Sequence, residues 1–181
     1  MQRILDLGCG VNKQPGAFGV DNSQNSDADA RFDLDAFPWR LPVDHFLVVY
    51  MRQSLEHLAH PIKVMQELYR ICQHGAMIFI QVPDGCCPGY VQDPSHKSPW
   101  NLGSFLYFVE DKQWPPSWEK RQNDYGTRFR ILYYHVTPSA AGRTPWGKEL
   151  YGDNLTVVMQ AIKQPAEDSS QELDKDVPKA E

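Results

Sequence analysis

The sequence predicts an α/β layer fold: an open sheet, mostly parallel, with an antiparallel pair of strands at one edge and an abbreviated N-terminal end. Three observations predict it. Short apolar runs alternate with loops and one helix-period segment in the order strand–loop–strand–helix–strand. The run His45–Met51 is almost continuously apolar, as a central strand covered on both faces requires. The last two apolar runs are joined by a segment holding Pro138, Gly142, Pro145 and Gly147, which suits a long loop or wide hairpin and not a crossover helix.

The elements follow in order. Ile4–Leu7 reads as a buried strand that breaks at Gly8-Cys9-Gly10, and Ala17–Asp21 as a second strand ending on an acid. Too few residues separate them for a full helix, and Pro15-Gly16 lie between. Residues 29–35 form a weak third strand, followed by the loop Phe37-Pro38-Trp39. After the central strand, Pro61 suits the first turn of a helix, and Val64, Met65, Leu68, Ile71 and Cys72 fall on one helical face. Gly75 is placed to cap that helix, and Ala76–Val82 is a fifth strand stopped by Pro83. Residues 84–126 are rich in Pro, Trp and Tyr, with one helix expected from Leu102 to Val109; they form a lid or acceptor region. Arg128–Val136 and Asn154–Ile162 are the closing strands. One domain, residues 1–163, accounts for all of this.

Composition sets the outer limits. The 181 residues are 41% hydrophobic and 23% charged, which is enough apolar material for a core without disulfides or metal. The net charge is −5, and residues 164–181 hold six acids against two bases, so the folded part is nearly neutral and the acidic tail is expected to be disordered. A neutral body lacks the electrostatic footprint for a DNA duplex or an anionic membrane. No apolar run approaches ~20 residues, and Asp6 interrupts any signal-like stretch, so neither a transmembrane helix nor a signal peptide is expected. Cys9, Cys72, Cys86 and Cys87 show no zinc spacing; reduced thiols in the cytoplasm, and no metal, are the expectation.

The chemistry begins at the first bend. A Gly-x-Gly turn after a buried strand lets the backbone approach a ligand, and a carboxylate ending the next strand accepts hydrogen bonds from both ribose hydroxyls. Gly8, Gly10 and Asp21 occupy those places, although Gly-x-Gly alone also fits a plain tight turn. A dinucleotide site wants a third glycine opening a helix; here Lys13 stands there, with Pro15-Gly16 following. The ligand should therefore carry a nucleoside but no pyrophosphate.

These residues carry a family resemblance. Ile4-Leu5-Asp6-Leu7-Gly8-Cys9-Gly10 resembles the first motif of class I S-adenosylmethionine-dependent methyltransferases, and Gly19-Val20-Asp21 the acidic motif of their second strand. Asp33-Leu34, with Phe37-Pro38-Trp39 and Leu41-Pro42, resembles their adenine-contacting segment. Phe46–Leu58 is similar to the strand-four segment ending in Leu-Glu-His, and Leu68–Gly75 to the helix leading into strand five. The likeness covers about residues 2–110 and is closest to small members of the type 11 group. It implies a Rossmann-like fold and S-adenosylmethionine as cofactor, with S-adenosylhomocysteine as product. The implied cofactor contacts are Asp6, Gly8, Cys9 and Gly10 in the first motif, then Asp21 with Asn22 at the ribose. Asp33 and Leu34 would hold adenine, and Met51 and Arg52 would line the methionine side. Asn12, Leu47, Gln53 and the missing helix after the first motif depart from the family pattern.

The acceptor is expected to be a small molecule presenting an O- or N-nucleophile, such as a sugar or natural-product intermediate. The stretch Asp93-Pro94-Ser95-His96 lies just after strand five, at the edge where ligands bind in open α/β sheets. His96 with Asp93 is the expected acid/base pair and His57 the second candidate; the competing reading makes Asp93 a turn cap, His96 polar surface and His57 a backbone-fixing residue. Trp100, Trp114, Trp118, Tyr90 and Tyr125 would wall the acceptor or simply pack a lid. The departures also leave a rival of another class, a nucleoside-binding scaffold that has lost catalysis. An open cofactor cleft admits a homodimer in which a partner subunit covers it.

Overall fold

A computed structural model describes residues 2–110, 125–143 and 149–163. Seven strands form one sheet in the order β3-β2-β1-β4-β5-β7-β6. The strands are β1 (Ile4–Leu7), β2 (Phe18–Asp21), β3 (Ala30–Arg31), β4 (Phe46–Arg52), β5 (Cys72–Pro83), β6 (Phe129–Arg143) and β7 (Glu149–Ala161). Strands β1 to β5 are parallel, while β7 runs antiparallel to β5 and β6 antiparallel to β7. The predicted layer fold with its antiparallel edge pair is the observed one. The acidic tail and residues 111–124, which include Trp114 and Trp118, lie outside the described residues. No helix among the described residues is long and apolar enough to cross a membrane.

Four details differ from the sequence expectation. Only two residues of the 29–35 run form a strand. The first helix, α1 (Pro61–Ile71), ends at Cys72 and not at Gly75. Cys72 already pairs with Phe46, the register then shifts, and Gly75 takes φ +80° inside β5 at that irregularity. A left-handed glycine relieves a bulge as readily as it caps a helix, so the sequence alone does not separate the two uses. The second helix, α2 (Leu102–Leu106), is one short turn capped by Asn101, whose side chain accepts from the Ser104 N–H. Finally, Pro138 and Gly142 sit within β6, not in the connection, because at an edge strand a missing N–H costs no ladder bond.

The core lies between the sheet and α1. Val64, Met65, Leu68 and Ile71 are fully buried against β4 and β5, where Val49, Met51, Ile78 and Ile80 are equally buried. Each such side chain contributes roughly 1.5–3 kcal/mol. The helix also holds the loop after β3. Glu67 Oε2 accepts from the Trp39 N–H at 2.7 Å, and Arg70 donates to the carbonyls of Trp39 and Leu41 at 3.0 Å each while pairing with Glu67 at 2.6 Å. Trp39 Nε1–H in turn donates to the Leu34 carbonyl at 2.9 Å. This clamp sets where Asp33 and Leu34 stand.

Cys9 and Cys72 are buried, as expected, and Cys86 is exposed. Burial, with Asp6 and Asp21 nearby, pushes the Cys9 thiol up to about 11; burial pushes Cys72 up to about 12. A thiol reacts as thiolate, which forms only as pH rises through its pKa. At pH 8 a disulfide reagent should therefore label Cys86 first and spare Cys9 and Cys72 until the protein is unfolded in urea; mass mapping of the labelled peptides checks this.

Candidate functional site

The parallel strands end on one edge, and there a cleft of about 520 Å³ opens. Gly8, Gly10 and Asp21 line one wall, Phe32, Asp33 and Leu34 the next, and Ser54, His57, Ser95 and Lys97 the far end. The first bend and the second strand thus face one space, and Asn22 lies beside them.

The bend works differently from the sequence expectation. Its amides do not wait for a ligand: Gly8 and Cys9 N–H groups donate to the Val20 carbonyl at 2.8 and 3.3 Å, and Gly10 N–H to Asp21 Oδ2 at 2.8 Å. The glycines are needed for shape. Gly8 has φ +66°, and a Cβ there would lie 2.4 Å from the Ser54 Cβ. Gly10 has φ +54°, and a Cβ there would meet nothing within 4 Å, because it would stand in the cleft.

Asp21 remains able to bind. Its Oδ1 accepts from the Ser23 N–H at 2.8 Å and its Oδ2 from Gly10. An ionised carboxylate has about four acceptor positions, so about two are left, the number a vicinal diol uses.

Asp6, Cys9, Met51 and Arg52 take other roles. Met51 is 0% exposed and belongs to the core. Cys9 packs inward, with Sγ 3.0 Å from where a Gly19 Cβ would be. Asp6 Oδ2 accepts from the Gln14 N–H at 2.8 Å and from the Arg52 guanidinium at 3.1 Å, and Arg52 also donates to the Asn12 carbonyl at 2.7 Å. These bonds tie down residues 12–14, where the expected helix is absent. Lys13 adds a second staple: its Nζ pairs with Asp29 Oδ2 at 2.8 Å, which also accepts from the Gly19 N–H at 2.7 Å. Asp6 Oδ1 is buried and has no hydrogen-bond partner among the described residues, a free acceptor beneath the bend.

Asp33 and Leu34 line the cleft. Asp35, which reads in sequence as a solvated loop acid, is a staple. Its carboxylate accepts from the Ala59 and His60 N–H groups at 2.9–3.2 Å. Burial pushes its pKa up, but those donors and Lys97 outweigh it and hold the carboxyl below the usual range.

At the far end the stretch 95–98 is stitched along residues 56–58. Lys97 and Ser98 N–H groups donate to the Glu56 carbonyl at 2.7 and 3.1 Å, and Ser98 Oγ to the Leu58 carbonyl at 2.9 Å. His57 and His96 are thereby brought together, with ring centroids 4.9 Å apart. His96 is not polar surface: its side chain is 8% exposed and stacks on Tyr90 at 5.0 Å. Asp93 does not orient it, because their closest approach is 3.8 Å. The His96 Nδ1–H donates instead to the Tyr90 carbonyl at 2.7 Å. Asp93 Oδ1 accepts from the Ser95 N–H at 2.8 Å and from its hydroxyl at 2.6 Å, which is the turn-capping role. The Ser95 hydroxyl, its hydrogen spent on Asp93, accepts from His57 Nδ1 at 3.1 Å. Both imidazoles therefore carry Nε2 as their unprotonated nitrogen.

Sequence reasoning missed Ser54, Ser95, Lys97 and Glu56. Only Glu56 carried a signal, as the acid of Leu-Glu-His. It is 1% exposed, neither carboxylate oxygen has a hydrogen-bond partner among the described residues, and burial pushes its pKa up. Trp100 is 3% exposed, packs on Phe105 at 4.7 Å and also lines a second cavity beside Lys97.

A cleft at the carboxyl ends of parallel strands is where open α/β sheets bind their ligands. The model of a methyltransferase domain matches residues 2–123, and the chain belongs to that family. It is a methyltransferase. Solved structures agree in fold. A candidate methyltransferase from Bacillus halodurans is 12% identical, with 88% of this chain and 92% of that chain covered and a TM-score of 0.62. An S-adenosylmethionine-dependent methyltransferase from Methanosarcina mazei is 15% identical, covering 89% and 92%, with a TM-score of 0.56. Phosphoethanolamine N-methyltransferase 2 from Haemonchus contortus, solved with phosphomonomethylethanolamine and S-adenosylhomocysteine, is 14% identical over 90% of this chain and 49% of that one, with a TM-score of 0.56. No curated protein matches the sequence.

Proposed function

We propose that the protein transfers a methyl group from S-adenosylmethionine to an oxygen or nitrogen nucleophile of a small molecule. The observation that carries this reading is the single cleft joining Asp21, Asp33 and Leu34 at one end to His57, Ser95 and Lys97 at the other. In this reading Asp21 holds the ribose hydroxyls, Asn22 flanks them, and Asp33 and Leu34 take the adenine edge. Gly10 leaves room for the cofactor. The sulfonium supplies a reactive methyl group; the protein's part is to align donor and nucleophile and to exclude water.

An acceptor hydroxyl must lose a proton as the new bond forms. The unprotonated Nε2 atoms of His57 and His96 are within the same end of the site and suit that task. A second cavity of about 330 Å³, lined by Pro99, Trp100, Tyr107, Phe108 and Tyr125, shares Lys97 with the cleft and offers an apolar seat beside the nucleophile. A polyanionic acceptor is disfavoured by the near-neutral body, and the Haemonchus enzyme shows the fold used on a small phosphorylated amine.

Turnover of labelled S-adenosylmethionine against a panel of small alcohols, sugars and amines tests the reading. One methylated product, lost at least about a hundredfold in His96→Ala if the acceptor is a hydroxyl, is expected from the size of general-base effects. Tight cofactor binding with no turnover on the panel would favour a binding protein instead.

A further inference from the structure

We propose that Glu56, His57 and His96 form a binding site for one divalent transition-metal cation, such as Zn²⁺, at the acceptor end of the cleft. The sequence holds no spaced metal motif, and this cluster exists only because residues 95–98 are stitched onto residues 56–58. One donor atom from each of the three side chains lies within 4.8 Å of the other two.

Three further observations point to a cation. First, every group of the cluster is an electron-pair donor. Tyr90 O takes the His96 Nδ1 proton and Ser95 Oγ the His57 Nδ1 proton, which leaves both Nε2 atoms bare. Glu56 adds two carboxylate oxygens that accept no hydrogen bond from the described residues. Lone pairs gathered beside a buried carboxylate repel unless a proton or a cation lies between them. Second, each imidazole has the outer partner that metal-bound histidines use to fix ring orientation and tautomer: a backbone carbonyl for His96, and for His57 a hydroxyl anchored on Asp93 at 2.6 Å. Third, two imidazoles and one carboxylate suit zinc and its neighbours, and a three-residue set leaves an open position for an outside ligand.

Glu56 Oε1 and His57 Nε2 are 3.9 Å apart. Donors bound to a tetrahedral zinc at about 2.1 Å stand roughly 3.4 Å from one another, so a modest inward movement completes the geometry. His57 also lines the cofactor cleft, which puts the open position on the side from which an acceptor would approach. With the cation in place both histidines are ligands and no longer bases; a bound acceptor hydroxyl would instead lose its proton to solvent water, more easily because the cation stabilises the oxyanion. Metal binding itself rests on these side chains and not on the identity of the acceptor.

The test is calorimetric titration of the chelator-treated full chain with Zn²⁺, repeated with Co²⁺ while its visible spectrum is followed. The expected result is one equivalent bound, with affinity at least tenfold lower in Glu56→Gln and in His96→Ala. Should the buried Glu56 position not tolerate change, His57→Gln, at a side chain 37% exposed, must show the same loss. His45→Ala, on the other side of the sheet edge at the start of β4, must bind as wild type. S-adenosylhomocysteine binding, measured in parallel, keeps the two readings separate: its failure with metal binding intact would count against the proposed function alone. The metal site is overturned if the wild-type chain takes up neither ion, or if the folded Glu56, His57 and His96 variants bind as wild type does.

Discussion

Calorimetric titration of Asp21→Ala with S-adenosylhomocysteine should give an affinity at least about a hundredfold below that of the wild-type chain. Hydrogen bonds to a charged acceptor are worth about 1.5–3 kcal/mol each, and the two acceptor positions left on Asp21 are the ones a ribose diol would fill. Losing both costs roughly 3–6 kcal/mol, about two to four powers of ten. The alanine also strands the N–H groups of Gly10 and Ser23, which Asp21 accepts at 2.8 Å each, so the bend above the cleft loosens as well. Asp21→Asn separates the two effects. Its carbonyl oxygen keeps one acceptor, but its NH₂ faces a donor whichever way the amide is turned, so binding should fall while the fold stays near wild type. An Asp21→Ala chain that folds and binds S-adenosylhomocysteine within a factor of three of wild type would remove the ribose assignment.

Gly8→Ala should be strongly destabilising. A left-handed backbone carrying a Cβ costs about 1–2 kcal/mol. A Cβ 2.4 Å from Ser54 Cβ and 2.8 Å from Ser54 Oγ adds an overlap that only backbone movement relieves, typically about 1–3 kcal/mol more. Against a domain stability of about 5–15 kcal/mol, the sum leaves the variant partly unfolded or close to it. Urea denaturation followed by tryptophan fluorescence checks this. Gly10→Ala provides the contrast: it carries the left-handed penalty alone, since its Cβ meets nothing within 4 Å, and its effect should appear mainly as weaker cofactor binding. Removing the obstructing Cβ in Gly8→Ala/Ser54→Gly should restore part of the stability. Equal unfolding midpoints for Gly8→Ala and Gly10→Ala would show that the approach to Ser54 is not what demands a glycine.

Asp6 illustrates how far local pattern reaches. Its place at the end of a buried strand, just before a Gly-x-Gly bend, is plain in the sequence. Its bonds to the Gln14 N–H and to Arg52 are not, because they replace a helix that this chain lacks, and nothing in the residues from Val11 to Gly16 names the substitute. Met51 illustrates the opposite limit. Strand periodicity places it correctly at the carboxyl end of β4, but one alternation decides whether a side chain meets the cleft or the core, and the pairing of Leu7 with Met51 puts it in the core. Asp93 and His96 are adjacent enough in sequence to suggest a pair; the tight turn that Asp93 caps through Ser95 holds them 3.8 Å apart.

The layer fold, the antiparallel closing pair, the amphipathic face of α1 and the acid that ends β2 are legible in the residues themselves. These are set by hydrophobic periodicity and by glycine and proline, which act over a few residues. Long-range contacts alone reveal that the bend's amides are spent on β2, that Glu67 and Arg70 hold the loop after β3, and that Glu56, His57 and His96 converge. Those outcomes depend on which distant donor satisfies which buried acceptor, and a hydrogen bond across the fold leaves no periodic trace in the chain that makes it.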